Sequence, residues 1–315
     1  MWLACGTDGV ARIRPTRLAW DVQAQSAMRC LITGGAGFIG SHLVEHLVGA
    51  GHDVVVLDDL STGHRENFAA VRRRISFMRG SVADLSTCRR AMAGVDYVLH
   101  HAAVTSVQRS VDDPGVTHTV SSPRATRASG GWCMPGQPLR TVTPPGCRTA
   151  RSTSRTHSAR MPRPSSRAKG TASPRFIAAA LAGEPPTIYG DGSQSRDFVY
   201  VANVVHANLL AARAPAANVA GQVFNVGSGH SVSVNELWDR VRGLTGVPVL
   251  PKHEAARAGE VKSSLASITK ARDLVGYQPG VEFDEGLRRT IAFYREARRQ
   301  RRQRRGRERA IVQAA

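Results

Sequence analysis

The residues of this chain with the clearest chemical potential are three glycines and an aspartate. Gly34, Gly37 and Gly40 lie in the run Thr33-Gly34-Gly35-Ala36-Gly37-Phe38-Ile39-Gly40, and Asp58 follows eighteen residues after Gly40. Glycines at that spacing let the backbone turn sharply, let a pyrophosphate approach backbone N–H groups, and let a helix pack closely on a strand. At each point a side chain would collide. A carboxylate about 20 residues further on suits the hydroxyls of a ribose. Asp58 has a plainer alternative, as the turn residue that closes a strand. His100 and His101 could be acid/base groups or metal ligands, but neighbours on a strand point to opposite faces, so we read both as structural. The five cysteines, Cys5, Cys30, Cys88, Cys133 and Cys147, have no metal-like pairing and fit a reducing cytoplasm.

These groups need a strand, a tight turn and a helix. Arg29 to Thr33 is a short apolar run entering the glycines, and Phe38 to Val48 carries Ile39, Leu43, Leu47 and Val48 at helical spacing. A second strand, Val54 to Leu57, ends in Asp58. A third, Ile75 to Met78, leads into Gly80-Ser81-Val82, and a fourth, Tyr97 to Leu99, leads into His100-His101-Ala102-Ala103. Small residues after a strand suit a closely approaching ligand. The pattern predicts an α/β, doubly wound parallel sheet of Rossmann type. The acid at position 58 favours NAD over NADP.

At this point the sequence resembles the extended short-chain dehydrogenases, the NAD-dependent epimerase/dehydratase family that includes UDP-glucose and UDP-N-acetylglucosamine 4-epimerases. The motifs are TGGAGFIG, VVLDDLSTG, HHAA and SVQRSVDDP, the last spanning Ser106 to Pro114. The resemblance implies NAD contacts at Gly34, Gly37, Phe38, Ile39, Gly40, Asp58, Ser61, Gly63, Ser81, Val82, Ala102 and Ala103, and substrate contacts at Ser106 and Val107. It resumes at Pro174-Arg175-Phe176-Ile177, continues through Tyr189-Gly190-Asp191-Gly192 and Ser195-Arg196-Asp197-Phe198-Val199-Tyr200-Val201, and ends near Tyr294. There it implies a small carboxy-terminal domain in which Arg196 and Arg257 meet the diphosphate of a UDP-sugar and Glu260 meets its ribose. From the residues alone, Arg196 and Asp197 could form a surface ion pair and Arg257 could be a solvated loop charge. Phe224 to Gly229 reads as the strand and turn before a helix at Val234 to Leu244, with a packing role. The family usually carries an acid after Y-V, whereas this chain has Ala202-Asn203.

The net charge of +19 suggests a polyanionic partner until its location is considered. Residues 121–172 hold nine Arg and Lys169 with no acid, and residues 295–315 hold nine Arg with two Glu. The remainder is nearly neutral. We expect no nucleic-acid partner, and read the tail as a solvated helix end. No apolar run is long enough for a membrane span, and residues 1–27 lack the apolar stretch of a signal peptide, which predicts a cytoplasmic protein with an unstructured extension.

Residues 121–172 also hold seven of the sixteen prolines, no Tyr, Phe or Ile, and only Leu139 and Val142 as long aliphatics. Such a segment is not expected to supply two buried strands and a core helix, so strand four should become an edge and the segment should be disordered. Here the family keeps its catalytic Ser/Thr and Y-x-x-x-K. The residues four beyond Tyr97, Tyr189, Tyr200, Tyr277 and Tyr294 are His101, Ser193, Val204, Val281 and Arg298, so no Y-x-x-x-K exists in the chain.

The genetic code offers an account. Trp132-Cys133-Met134-Pro135 requires TGG-TGY-ATG-CCN, which read one base earlier spells Leu/Met/Val, Val, Tyr/His, Ala. In that frame Thr141 to Arg148 permits Y-G-D-x-x-G-L-P, Arg155 to Pro162 permits P-H-P-L-S-P-Y-A, and Met161 to Lys169 permits Y-A-x-S-K-L-A-G-E. These are family strings. A frameshift explains them, accompanied by a deletion before P-R-F-I. The alternative is a genuine basic insert.

The expected organisation is an extension at 1–27, an NAD-binding part at 28–120, the aberrant segment at 121–172, remaining Rossmann and sugar-nucleotide-binding parts at 173–294, and a basic tail at 295–315. In the family, a tyrosinate takes the C4 hydroxyl proton, the adjacent lysine lowers the tyrosine pKa, and hydride passes to NAD and back. The resemblance implies a UDP-sugar 4-epimerase, a family often homodimeric, with no catalytic residue and no metal site in this chain and so no activity as translated. Alternatives are a non-catalytic NAD-binding protein and a basic RNA- or membrane-binding protein using Arg295 to Arg309.

Overall fold

A strand apolar on both faces must lie inside a sheet covered by helices on both sides. The runs at 30–33 and 54–57 have this character. In the computed structural model, which describes residues 27–102, 132–135, 149–152, 172–256 and 262–314, they form interior strands of the main sheet. Strand β1 (Arg29–Thr33) is followed by helix α1 (Phe38–Gly49), β2 (Asp53–Asp58), a 3-10 segment (Arg65–Arg74), β3 (Ile75–Arg79), α2 (Leu85–Ala91) and β4 (Tyr97–His100). Then come β5 (Trp132–Pro135), β6 (Thr149–Ser152), α3 (Ala172–Ala182), β7 (Thr187–Tyr189), β8 (Ser195–Arg196), α4 (Val201–Arg213), the one-turn α5 (Ala216–Val219) and β9 (Gln222–Phe224). The chain closes with β10 (Val232–Ser233), α6 (Val234–Thr245), β11 (Lys252–Glu254), β12 (Ser263–Ser264), α7 (Thr269–Val275) and α8 (Phe283–Ala314).

The main sheet has the order β3-β2-β1-β4-β5-β6-β9, and every pairing is parallel. Alternate residues of the central strands feed two cores. Ile32, Val54 and Val56 join Leu43, Val44 and Leu47 of α1 and Val204 and Val205 of α4. Leu31, Val55 and Leu57 join Cys88 and Ala91 of α2 on the opposite side. This is the doubly wound arrangement that the apolar runs imply.

The expectation that strands five and six are missing and that β4 becomes an edge is corrected. Val98 and Leu99 pair with Trp132 and Cys133, and β6 then pairs with both β5 and β9. The reason is that a ladder is built from backbone N–H and C=O groups, which every residue except proline supplies in full. Pro135 stands at the last position of β5, where a missing donor disrupts least. A poor side-chain pattern therefore did not preclude pairing. The position of the family's catalytic helix, within residues 153–171, lies outside the described residues.

A third core, formed by Phe176 and Ile177 of α3, Leu237, Trp238 and Val241 of α6, and Leu287 and Ile291 of α8, builds the carboxy-terminal part. Phe176 meets Trp238 edge-on at 5.7 Å between ring centroids. Helix α6 starts with a capping box, Ser233 accepting from the Glu236 N–H and Glu236 accepting from the Ser233 N–H, and stops at left-handed Gly246. Among the described residues no helix is long and apolar enough to cross a membrane.

Candidate functional site

The glycine loop lies at the carboxyl ends of β1, β2 and β4, where open parallel sheets hold their ligands. Gly34 has φ +67°, and a Cβ there would stand 2.5 Å from the Ala102 nitrogen. Gly40 is helical, and its Cβ would fall 2.2 Å from the Gly34 carbonyl oxygen. The loop is thus pressed between the end of β4 and the first turn of α1. Gly37 is the N-cap of α1, with no side-chain cap and no acid in the first turn. The N–H groups and positive dipole end at Phe38, Ile39 and Gly40 are what an anion needs.

Asp58 sits at the end of β2, 7% exposed. Its Oδ2 accepts from the Ala36 N–H (2.9 Å) and its Oδ1 from the Leu60 N–H (2.8 Å). Burial pushes its pKa up, and the two N–H donors oppose that shift. Leu60 carries φ 61°, the sole non-glycine left-handed residue among those described, and Asp58 holds its N–H. Gly63 also comes close, since a Cβ there would meet Ala36 at 2.8 Å. The 58–67 loop is further tied to Ala36 by the His64 N–H (3.0 Å) and by Asn67 Nδ2 (2.7 Å), both donating to its carbonyl.

The structure therefore gathers Gly34, Gly37, Phe38, Ile39, Gly40, Asp58, Gly63 and Ala102 at one end of the sheet. Ser61 lies exposed on the same loop, its N–H donating to Asp59. Ser81 and Val82 follow β3; Gly80, just before them, donates its N–H to the Asp58 carbonyl. Ala103, Ser106, Val107, Arg257 and Glu260 lie outside the described residues.

The two histidines have different partners. The Thr33 hydroxyl is hydrogen-bonded to His100 Nδ1, and its oxygen accepts from the Ala102 N–H at 3.3 Å. His101 Nε2 lies 3.2 Å from Asn208 Oδ1, and Asn208 Nδ2 donates to the Val204 carbonyl. Burial lowers the pKa of His100 to about 4 and that of His101 to about 3, so both are neutral near pH 7. Among the described residues no group of three or more His, Cys, Asp or Glu could hold a metal.

Arg196 is on β8, in a separate three-stranded sheet of order β10-β8-β12. Its neighbour Asp197 accepts from the Ser228 N–H (2.8 Å), the Ser228 hydroxyl (2.6 Å) and the Gly229 N–H (3.3 Å). Asp197 thus serves the 227–229 turn. That turn has a packing role, as Tyr277 donates to the Gly227 carbonyl at 2.8 Å. Burial pushes the Tyr277 phenol far above its ordinary pKa, unsuiting it as a base. The departure at Ala202-Asn203 also finds a use. Buried Asn203 donates Nδ2 to the Val281 carbonyl (2.8 Å) and accepts from the N–H groups of Gly280 (3.1 Å) and Val281 (2.9 Å). A carboxamide donates and accepts at once, which an ionised carboxylate cannot do. Sequence reasoning missed Asn67 and Asn208, and the bonds of Asn203, whose partners are distant in the chain.

Fold and site together define a doubly wound α/β protein with a glycine-loop dinucleotide site. The NAD dependent epimerase/dehydratase family matches residues 30–122 and 154–227, and the chain belongs to that family. A UDP-glucose 4-epimerase of Mycolicibacterium smegmatis is 34% identical over 312 residues, covering 85% of this chain and 99% of that protein. The crystal structure of UDP-glucose 4-epimerase with UDP-glucose from Thermotoga maritima superposes with a TM-score of 0.70 at 27% identity, covering 86% of this chain and 99% of that one. A UDP-glucose 4-epimerase from Thermus thermophilus in complex with NAD gives 0.64 at 28% identity, covering 85% and 99%.

Proposed function

We propose that this chain descends from a UDP-sugar 4-epimerase, binds NAD, and is inactive as translated. The NAD part of the reading rests on the glycine cradle. Gly34 and Gly40 let the loop close against Ala102 and the first turn of α1, where a Cβ would strike backbone, and the uncapped first turn of α1 offers its N–H groups to a pyrophosphate. Asp58 keeps acceptor capacity for a ribose, because a carboxylate has about four lone-pair sites and two N–H donors leave two. Gly63, Ser61, Ser81, Val82 and Ala102 line the same end, and 28–120 is the NAD-binding part. When bound, NAD supplies a hydride acceptor. Arg196 offers a fixed cation to a UDP diphosphate in the 173–294 part.

Inactivity is carried by one observation: none of the five tyrosines stands four residues before a lysine. Without a positioned base the proton transfer at C4 loses about a hundred-fold or more in rate. The family match is interrupted between 122 and 154, in the first part of the Arg/Pro-rich segment, and resumes within it. The Mycolicibacterium alignment spans 312 residues but takes in 85% of this chain, about 268 of its 315, so about 44 positions face no residue here. That supports an accompanying deletion.

The test is the gene. Its DNA across codons 118 to 175 is expected to encode Y-x-x-x-K in the alternative frame, and a chain with frame and missing stretch restored should interconvert UDP-glucose and UDP-galactose. If the alternative frame holds no such motif, the frameshift account fails. Turnover by the chain as written would overturn its inactivity.

A further inference from the structure

Helix α8 runs 32 residues, and the core contacts of its described side chains lie in its first half. Leu287 and Ile291 are buried in its first turns and Tyr294 packs on the same cluster. From Arg295 to Arg309 the helix holds nine arginines, two glutamates and no lysine, and Ala297 is its only apolar side chain. Arginines at 295, 298, 299, 301, 302, 304, 305, 307 and 309 place like charges three and four residues apart throughout. Each such pair costs about 0.2–0.5 kcal/mol in an isolated helix. A helix built this way gains most from an anionic partner.

Arg295 donates to the Leu244 carbonyl at the end of α6 (3.2 Å), which holds α8 against that helix. Arg299 pairs with Glu296 at 3.0 Å, which neutralises part of the charge, and Arg299 remains 67% exposed. A groove of about 360 Å³ opens where α3 meets α8, lined by Leu181, Arg295, Arg298, Arg299, Arg302 and Gln303.

From this surface we infer that the basic face of α8 from Arg295 to Arg302, contrary to the expectation of a merely solvated helix end, binds the phosphate backbone of duplex DNA, without sequence readout. The occupant follows from charge and shape. A lipid surface would need an apolar face, which residues 295–309 lack. A second copy would meet the same basic helix. Arginine forks suit phosphate oxygens, and a helix about 10–12 Å across fits the major groove of B-DNA, about 12 Å wide, whereas the A-form RNA groove is too narrow. This inference does not rest on the epimerase reading.

The test uses the full chain and a labelled duplex of about 20 base pairs, followed by fluorescence anisotropy across salt concentrations. Five neutralised phosphates give a slope of log K against log salt of about −4.5, or about a 500-fold loss between 50 and 200 mM. The Arg298→Gln/Arg299→Gln/Arg302→Gln variant should lower the magnitude of the slope by about 2.7 with an unchanged unfolding curve, and a chain ending at Tyr294 should lose more. Residues 121–172 are also basic, so the difference between variants isolates the helix. A parental slope in both variants overturns the inference. So does tighter binding to single-stranded RNA or to phosphatidylserine vesicles than to the duplex.

Discussion

Gly40 and Gly49 stand at opposite ends of α1, and the same substitution should act on them in opposite senses. A Cβ on Gly49 meets nothing within 4 Å, whereas one on Gly40 falls 2.2 Å from the Gly34 oxygen and 2.8 Å from the Gly35 Cα. Ordinary contact begins at 3.4 Å, so Gly40→Ala must push the loop about 1.2 Å from the helix, against backbone that cannot rotate away. Overpacking of this kind costs about 1–3 kcal/mol, offset by about 1 kcal/mol of helix propensity. Gly49→Ala gains about 0.4–1 kcal/mol with no opposing cost. The larger effect is on NAD. A shift of that size breaks at least one charge-assisted hydrogen bond to the pyrophosphate, about 1.5–3 kcal/mol, or roughly ten- to hundred-fold in Kd. Calorimetric titration of NAD and urea unfolding of both variants measure the two effects separately. Gly40→Ala binding within about threefold of the parent, or Gly49→Ala weakening NAD equally, would refute the loop geometry as the basis of binding.

Asn203→Asp restores the acid usual in the family near this position, yet here it should destabilise the fold by about 1–3 kcal/mol, because the carboxylate cannot donate to the Val281 carbonyl; urea unfolding at pH 7 measures this, and an unchanged midpoint would sink the assignment. Stability should also fall on acidification. His100 and His101, with pKa values lowered by burial to about 4 and about 3, are neutral in the fold but take up protons below about 6.5 when unfolded, so their contribution is lost as pH falls from 6.5 through those values. Glu45, raised to about 6 by burial, acts oppositely between its ordinary 4.5 and 6, stabilising as pH falls. Near pH 5 to 6 these three groups leave a net uptake of about one proton on unfolding, a slope of about 1.4 kcal/mol per pH unit, and Glu45→Gln should steepen it; a flat profile from pH 7 to 5 would contradict the burial of the histidines.

Local pattern made the NAD-binding half legible. The limits of β1 match the apolar run residue for residue, and α1 and α6 each extend one residue beyond their periodic segments. The carboxy-terminal half was legible through its motifs, but the work of individual residues was not. Asp197 reads in sequence as the partner of adjacent Arg196, yet its carboxylate serves a turn about thirty residues away.

What the sequence determined by itself is the glycine cradle and the absence of a Y-x-x-x-K pair. Glycine is the one residue that fits where backbone meets backbone, so Gly34, Gly37 and Gly40 announce the loop without coordinates. The missing Y-x-x-x-K needs only a reading of five tyrosines. Only the tertiary structure could decide that β4 is not an edge, that Asn203 rather than an acid suits its place, and that Asn208 reaches His101. Those outcomes depend on backbone ladders and on partners from 77 to 107 residues apart, and neither leaves a mark on the local sequence.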